Sequence, residues 1–329
     1  MEQPEPDSSQ AGGQTPAAIW TVQGQSVVKP GNDRFTIAGT EVWRANEDRF
    51  HINQKPDRLL AAVADGAGAS GLFCGAWAET LVSRLPDDPL QTLTALDSWM
   101  AGFCLDFGRN QAAATAGRQH SKLVREGSCS TLTACWLKTT DFGCHLHWLG
   151  YGDSPLLLLD RTDGAPDRLL EWHPRPLRLL QRDPHLLNWK DVPTDAGFRS
   201  GTLNLERRTC MILATDAVGL YLLSCYHAQN ARLTGSSSAH QSFLHEFEEM
   251  QDRKGGRRDL VGQPSGFFSS EIQSLRQALL TETSFAIWLT DRYQKGLIAN
   301  DDATVIIIDV EFPEPEMLQT PLLTSEASP

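Results

Sequence analysis

Three aspartates follow short apolar runs of the kind that form buried strands. Asp65 ends the run LLAAVA, Asp153 follows HWLGYG, and Asp216 ends CMILAT. A carboxylate at the end of a buried strand is costly unless a counter-charge compensates for its lost hydration. Mg²⁺ and Mn²⁺ prefer carboxylate oxygens, backbone carbonyls and water as ligands. This placement therefore indicates a site for divalent cations at the strand ends.

Four more acidic residues occupy comparable positions. Asp301 and Asp302 stand directly before the run ATVIIIDV, and Glu47 and Asp48 lie between the strand-type segments TIAGTEVW and FHIN. Small residues beside several of these acids leave room for a ligand to approach the backbone. The alternative is that each Asp is a turn residue, because Asp bonds its own backbone and tolerates turn dihedrals. For any one position taken alone, that alternative is the commoner one.

Strand-type patterns must position these acids. They span 35–42, 59–64, 130–137, 144–149, 156–160, 210–214 and 304–310. The segments STLTACWL and CHLHWLG, joined by KTTDFG, predict an antiparallel hairpin with Gly143 in the turn. Most strand links are too short for parallel crossovers. The prediction is an α+β fold in which antiparallel sheets are flanked by helices.

Helical patterns fill much of the remaining chain. They span 75–85, a three-and-four-residue stripe over 93–107, and the segments 241–252 and 270–296. The stretch 235–266 is rich in Gly, Ser, Arg and Lys and is predicted to be a surface insertion or a mobile loop. Residues 1–17 and 313–329 combine Pro, Ser and Glu with few anchoring apolar residues, which predicts disordered tails.

Composition narrows the classes of partner. The 329 residues hold 29 Lys and Arg against 41 Asp and Glu, a formal charge of −12, which disfavours nucleic acid and membrane surfaces. No apolar run approaches the roughly 20 residues that span a bilayer. Seven cysteines without CxxC spacing, behind an acidic start unlike an export signal, indicate reduced thiols in a cytoplasmic protein.

Six motifs in order give the chain a family resemblance. They are NED (46–48), VADGAGAS (63–70), GSCSTLTA (127–134), GYGDSP (150–155), ATDAVG (214–219) and NDDATVIII (300–308). Together they resemble the metal-dependent protein phosphatase 2C family, over roughly residues 35–310. The resemblance implies a four-layer α-β-β-α sandwich of two antiparallel sheets, with a two-metal centre at one end. It also implies one catalytic domain over 18–312, in which 220–296 forms an insertion or flap and helices.

The resemblance assigns metal ligands residue by residue. Asp65 would bridge two ions, Mn²⁺ or Mg²⁺, and Gly66 would offer its backbone carbonyl to one of them. Asp216 and Asp301 would bind the other ion. Glu47 or Asp48 would contact the centre directly or through water.

The same resemblance implies the reaction. A metal-activated water would hydrolyse phosphoserine or phosphothreonine in a protein substrate, and a cognate Ser/Thr kinase would be the functional counterpart. Asp153 would hold a weaker third ion and help position the catalytic water. The residues that the resemblance assigns to catalysis are Asp48, Arg44 and Asp153. Two cations that activate water and neutralise phosphoryl oxygens remove the need for a Ser, Cys or His nucleophile.

Several positions depart from the family pattern. Ala67 stands where some members have His, Pro155 replaces the commoner Arg of GDSR, and Asp302 replaces Asn. Trp43 occupies the place of the usual phosphate-binding Arg, so Arg44 is the nearest substitute. A one-residue offset at a strand turns a side chain to the other face. Arg44 is therefore either a phosphate clamp or an exposed strand-end Arg.

Two other functions compete with this interpretation. Gly66, Gly68 and Gly71 match G-x-G-x-x-G between a strand and a helix, which is typical of a dinucleotide-binding oxidoreductase. No acid follows a second strand about 20 residues later, so this alternative is disfavoured.

The second alternative function is that of a pseudophosphatase, which keeps the fold for binding or regulation. His145-x-His147 lacks a third ligand at zinc spacing and predicts partner-bearing sheet histidines.

Overall fold

The computed structural model describes residues 18–31, 35–37, 40–42, 45–140, 143–161, 167–174, 184–234, 239–252 and 267–312. Both predicted tails, and parts of 235–266, lie outside these residues. Within the described part of the chain, no helix is long and apolar enough to cross a membrane.

Five strands form a first antiparallel sheet. They are β1 (Ile19–Val27), β9 (Leu156–Asp160), β10 (Arg168–His173), β13 (Thr209–Ala214) and β14 (Ala303–Glu311). Their spatial order is β1-β14-β13-β9-β10. β14 therefore lies inside the sheet, between β1 and β13.

Five others form a second antiparallel sheet. They are β4 (Arg49–Gln54), β5 (Arg58–Ala64), β7 (Leu132–Thr140), β8 (Gly143–Tyr151) and β12 (Phe198–Leu205). Their spatial order is β12-β8-β7-β5-β4. Two short pairs complete the strands: β2 (Phe35–Ile37) with β3 (Thr40–Val42), and β6 (Cys129–Ser130) with β11 (Leu187–Asn188).

Eight helices are described. The first four lie between β5 and β6: α1 (Cys74–Ser83), α2 (Leu93–Ala101), α3 (Cys104–Ala113) and α4 (Gly117–Glu126). The other four lie between β13 and β14: α5 (Asp216–Thr234), α6 (Ala239–Asp252), α7 (Phe267–Ala278) and α8 (Glu282–Gln294).

Alternation along single strands builds the layers. On β5, Leu59, Ala61 and Val63 join the core between the two sheets, whereas Leu60 and Ala62 pack towards α1, α2 and α3. The first sheet does the same, and its outer face packs against α5, α7 and α8. Because both faces of β5, β13 and β14 are buried, these inner strands are nearly continuous apolar runs. The four-layer α-β-β-α sandwich of the prediction is confirmed.

The predicted hairpin is confirmed as β7 and β8, with Gly143 at φ 144°.

Two predicted helical segments are wrong in length, because each is broken into two helices. The stripe over 93–107 is two helices that break at Gly102 and Phe103. The segment 270–296 breaks at Thr281, whose hydroxyl caps α8 by accepting from Ser284 N at 3.1 Å.

Candidate active site

The backbone of Asp65 is fixed where β5 ends. Its N–H donates to Thr131 Oγ1 at 3.0 Å, and its carbonyl accepts from Thr131 N at 2.9 Å and Ser130 Oγ at 2.8 Å. These bonds satisfy the backbone and leave the carboxylate to face the other acids. A local bridge between Gly66 and Ser130 extends this pairing by one residue.

Asp153 is tied to the same hydroxyl groups. Ser154 Oγ lies 2.6 Å from Thr131 Oγ1, and Thr133 Oγ1 donates to Ser154 O at 2.5 Å. We call Ser130, Thr131, Thr133 and Ser154 the hydroxyl cluster. All four are buried. The cluster therefore links the two aspartates that follow β5 and β8.

A second set of bonds fixes the segment before β4. Asp48 N donates to Asn46 Oδ1 at 2.9 Å, and Asn46 Nδ2 donates to Ser26 Oγ at 2.8 Å. Asp302 accepts from the backbone of both Lys29 (2.9 Å) and Glu47 (2.8 Å) through its two carboxylate oxygens. Asp302 therefore positions the 47–48 segment against β14.

The first sheet contributes Asp216 and Asp301. Thr215 and Thr304 pair at the ends of β13 and β14: Thr215 N donates to Thr304 O, and Thr304 N donates to Thr215 Oγ1, each at 3.0 Å. The Thr215 hydroxyl lies close enough to the Asp48 carboxylate to lower its pKa, against the larger effect of burial. This contact joins the two sheets directly at the acids. Asp216 is the first residue of α5.

Asp301 is the most accessible of these acids. Its side chain is 53% exposed, and Lys29 Nζ lies 3.7 Å from its Oδ1. Lys29 Nζ also lies 4.0 Å from Oδ1 of Asp302, whose side chain is only 6% exposed. Lys29 thus supplies one cation at the rim of a group of carboxylates.

Glu47 lies against the glycine-rich turn. A Cβ on Gly68 would overlap the Glu47 carboxylate, and a Cβ on Gly66 would meet the backbone of Glu47 and, at 2.9 Å, that of Cys74. Only glycines let the turn approach this closely. A side chain at Gly66 would collide with backbone atoms. A side chain at Gly68 would collide only with the end of the flexible Glu47 side chain.

The acids interact strongly enough to disturb their ionisation. Burial raises the pKa of Asp48 well above its usual range, and the charges of Asp302, Asp301 and Asp216 raise it further. Burial likewise raises the pKa of Asp65, with added repulsion from Asp48, Asp216, Asp153 and Asp301. The structure therefore brings together Asp48, Asp65, Asp153, Asp216 and Asp301 at one end of the sandwich.

The chemistry of this site fits Mg²⁺ or Mn²⁺. Its donors are carboxylate oxygens, and Asp48 Oδ2 is buried without a hydrogen-bond partner among the described residues. In the same part of the chain, no three His, Cys, Asp or Glu side chains are close enough to hold one ion as they stand. The ligand set of each ion, with Glu47 and Gly66 as members, stays a prediction.

The departures from the family pattern receive partial explanations. Pro155 packs on α5, since a Cβ on Gly219 would overlap the Pro155 ring. Asp302 has a structural role in holding the 47–48 segment. Trp43 and Arg44 lie outside the described residues, so the phosphate clamp at Arg44 stays a prediction.

The cysteines are all free thiols, as expected. Burial raises the pKa of Cys74 to about 12, although it lies beside the glycine-rich turn. A thiol with that pKa has little thiolate at neutral pH and is a poor nucleophile. The structure therefore agrees with a reaction that uses no cysteine.

The dinucleotide alternative is wrong. In the glycine-rich turn, Ala67 N donates to Cys129 O and Leu72 N to Gly127 O, so these amides are not available to a pyrophosphate. β5 pairs antiparallel with both of its neighbours, which excludes the parallel βαβ unit of that fold.

Sequence reasoning missed the groups that hold the acids in place. Ser154 and Thr215 are each next to a motif aspartate, and the other three residues of the hydroxyl cluster lie in GSCSTLTA. This closeness to the motifs is the signal in the sequence that could have identified them.

The two sheet histidines do have partners, as predicted: His145 Nδ1 lies 2.6 Å from Asn204 Oδ1, and His147 Nδ1 lies 3.3 Å from Gln91 Nε2.

No family model and no curated protein matches the chain. Among solved structures, it is similar to RsbX in complex with magnesium (12% identity, 89% of this chain and 96% of that one, TM-score 0.41). It is also similar to the phosphatase domain of SpoIIE from Bacillus subtilis (12%, 95% and 99%, 0.38). A third is the catalytic domain of the serine threonine protein phosphatase PstP with manganese ions (17%, 89% and 99%, 0.39).

The structural neighbours of this chain thus include protein phosphatase 2C domains, the family that its motifs resemble.

Proposed function

We propose that this protein is a metal-dependent phosphatase that hydrolyses phosphoserine or phosphothreonine in proteins at a two-metal centre. The observation that carries the proposal is the meeting of five carboxylates from both sheets, two of them with pKa values raised by burial and mutual repulsion. Such a group is stable at neutral pH when cations compensate its charge.

Each acid has a role in this proposal. Asp65 would hold both ions, with the carbonyl of Gly66 beside it, Asp216 and Asp301 would hold one ion, and Asp153 would hold a weaker third. When bound, the Mn²⁺ or Mg²⁺ ions supply an activated water and neutralise the phosphoryl oxygens. Asp48 would contact the centre, and the nearby Thr215 hydroxyl favours its charged form.

The proposed partners follow from the reaction. The substrate is a phosphorylated protein, and a Ser/Thr kinase supplies it. We place this signalling pair in the cytoplasm, where free thiols stay reduced, because all seven cysteines are free.

The proposal is tested by hydrolysis of a phosphothreonine peptide with and without Mn²⁺. We expect metal-dependent turnover in the wild type and losses of at least about a hundredfold in Asp65→Asn and Asp216→Asn. Asp106→Asn is the matched control, because that carboxylate is 76% exposed on α3. Full activity in both site variants would refute the two-metal centre.

A pseudophosphatase is the second candidate, and the position of Pro155 in GDSP favours it. It would bind Mn²⁺ through the same acids and show no turnover. Metal binding measured by calorimetry, beside the peptide assay, separates the two candidates.

A further inference from the structure

A cavity of about 320 Å³ opens on the second sheet, far from the acidic site. Its lining includes Arg58 at the start of β5, Thr140 at the end of β7 and His145 near the start of β8. Asp65 follows the opposite end of β5, and Asp153 the opposite end of β8. With about 3.3 Å per residue, β5 alone separates the two places by about 20 Å.

The cavity floor is built from side chains that point the same way on three neighbouring strands. The inner row is Leu60, Trp136 and His147, and the outer row is Arg58, Lys138 and His145. Residues two apart on a strand share a face, so the two rows lie side by side. The floor is therefore apolar on its inner side and basic on its outer side.

Trp136 is held in place on this floor. Its indole N–H donates to Pro86 O at 2.9 Å, and the residue is 5% exposed. The chain that follows Pro86 then forms one wall of the cavity through Asp87, Asp88 and Pro89. The part of the ring that faces the cavity is apolar and fixed, because its one polar atom is already bonded.

The acidic residues of the wall do not neutralise all of the basic residues of the outer row. Lys55 Nζ lies 2.6 Å from Asp87 Oδ2, and Arg58 lies 3.8 Å from the same oxygen. Asp87 is therefore compensated by two cations. Among the described contacts, no carboxylate lies within ion-pair distance of Lys138, which leaves its ammonium group to a ligand.

From these features we infer that the cavity is a second binding site, specific for a small organic anion with an apolar ring. The ring packs on Trp136 and Leu60, and the anionic group accepts from Lys138. At about 30 Å³ for each water-sized group, the cavity holds roughly ten such groups, the size of a single or fused aromatic ring with one acidic substituent. The inference is independent of the proposed phosphatase activity.

Naphthalene-2-sulfonate is a suitable probe, because it joins a flat apolar ring to a permanent anion and contains no phosphoester. We expect calorimetry to show one site on the full chain. Binding of the neutral analogue naphthalene-2-sulfonamide should be at least about tenfold weaker, as should binding of the sulfonate to Lys138→Met.

Three variants control the experiment. Lys122→Met removes an exposed lysine on α4 and should leave the dissociation constant unchanged. Asp65→Asn at the acidic site should also leave it unchanged, whether or not that site proves catalytic. Asp88→Asn removes a carboxylate from the cavity wall and should tighten binding.

Absence of binding at 5 mM probe, roughly a hundredfold above a typical weak dissociation constant of tens of micromolar, would overturn the inference. Equal affinity for the sulfonate and the sulfonamide, or for Lys138→Met and the wild type, would overturn it as well. Weaker binding of the probe to Asp65→Asn than to the wild type would place the probe at the acidic site instead. That result would also refute the inference.

Discussion

Replacing Asp48 by Asn should stabilise the metal-free protein. Asp48 is 2% exposed, and Asp302, Asp301 and Asp216 all repel its charge. The amide of Asn has nearly the shape of the carboxylate, and its nitrogen takes the place of Oδ2, which has no hydrogen-bond partner among the described residues. Asp48→Asn therefore removes a buried charge with little change of shape.

The expected gain follows from the removal of one buried charge, since the amide that replaces it is buried in the same place. We set the gain at the cost of one desolvated polar group, about 1–3 kcal/mol. For roughly 250 folded residues the unfolding entropy is about 0.5 kcal/mol/K, so the melting temperature should rise by about 2–6 °C. Differential scanning fluorimetry in EDTA at pH 7.5 measures this shift.

The gain should depend on pH in a defined direction. The pKa of Asp48 is raised in the folded state, so folding favours its protonated form. The stability that this group contributes is fully present below its unfolded pKa, near 3.9, and is lost as the pH rises through the raised folded value. The advantage of Asp48→Asn should therefore grow as the pH rises from 5 to 8.

Mn²⁺ should cancel most or all of this advantage. At a hundred times its dissociation constant, an ion stabilises the wild type by about 2.7 kcal/mol, which corresponds to about 5 °C here. Asp48→Asn should lose most of that shift. Asp106→Asn, an exposed control, should match the wild type in both conditions. A folded Asp48→Asn that melts below the wild type in EDTA, or that keeps the full Mn²⁺ shift, would refute the reasoning.

Three further predictions concern the groups around the acids. Gly68→Ala should keep its melting temperature within about 2 °C but weaken Mn²⁺ binding about tenfold in calorimetry, because only the Glu47 side chain must move. Gly66→Ala meets backbone instead, and should lose at least about 2 kcal/mol of unfolding free energy in urea. Asp302→Ala should cost about 2–4 kcal/mol in the same assay by removing the acceptor of two backbone amides.

Each of these has a result that would contradict it. Unchanged Mn²⁺ affinity in Gly68→Ala would mean that Glu47 takes no part in the site. A Gly66→Ala protein as stable as Gly68→Ala would contradict the distinction between backbone and side-chain contact. For Asp302, the Asn variant is the control, since its amide oxygen still accepts one bond and should recover part of the loss.

The sequence predicted the elements whose patterns are local. β5 and β13 are short apolar runs that end at Ala64 and Ala214, and the aspartate after each marked the boundary. α5 was not predicted, because nearly every residue from Ala217 to Ala231 is buried and no polar face produces a helical stripe. The break at Gly102 is also invisible in a stripe, since Phe103 and Phe107 continue the same spacing.

At the site, the sequence indicated which carboxylates lie at strand ends but not how they are held. In the sequence Asp302 is one more acid at a strand end, whereas in the structure its oxygens accept from two backbone amides more than 250 positions away. Such a long-range role has no local signature. The hydroxyl cluster was visible only as serines and threonines within motifs, and its bonds depend on the register of β7 against β8.

The position of β14 has a consequence for synthesis on the ribosome. This final strand lies between β1 and β13, and Asp301 and Asp302 directly precede it. A nascent chain that has not yet released residues 301–311 has two unpaired inner strand edges and an incomplete set of acids. Unpaired edges favour aggregation and recruit chaperones. The group of acids is therefore complete only after residues 301–311 have left the ribosome and β14 has paired with β1 and β13.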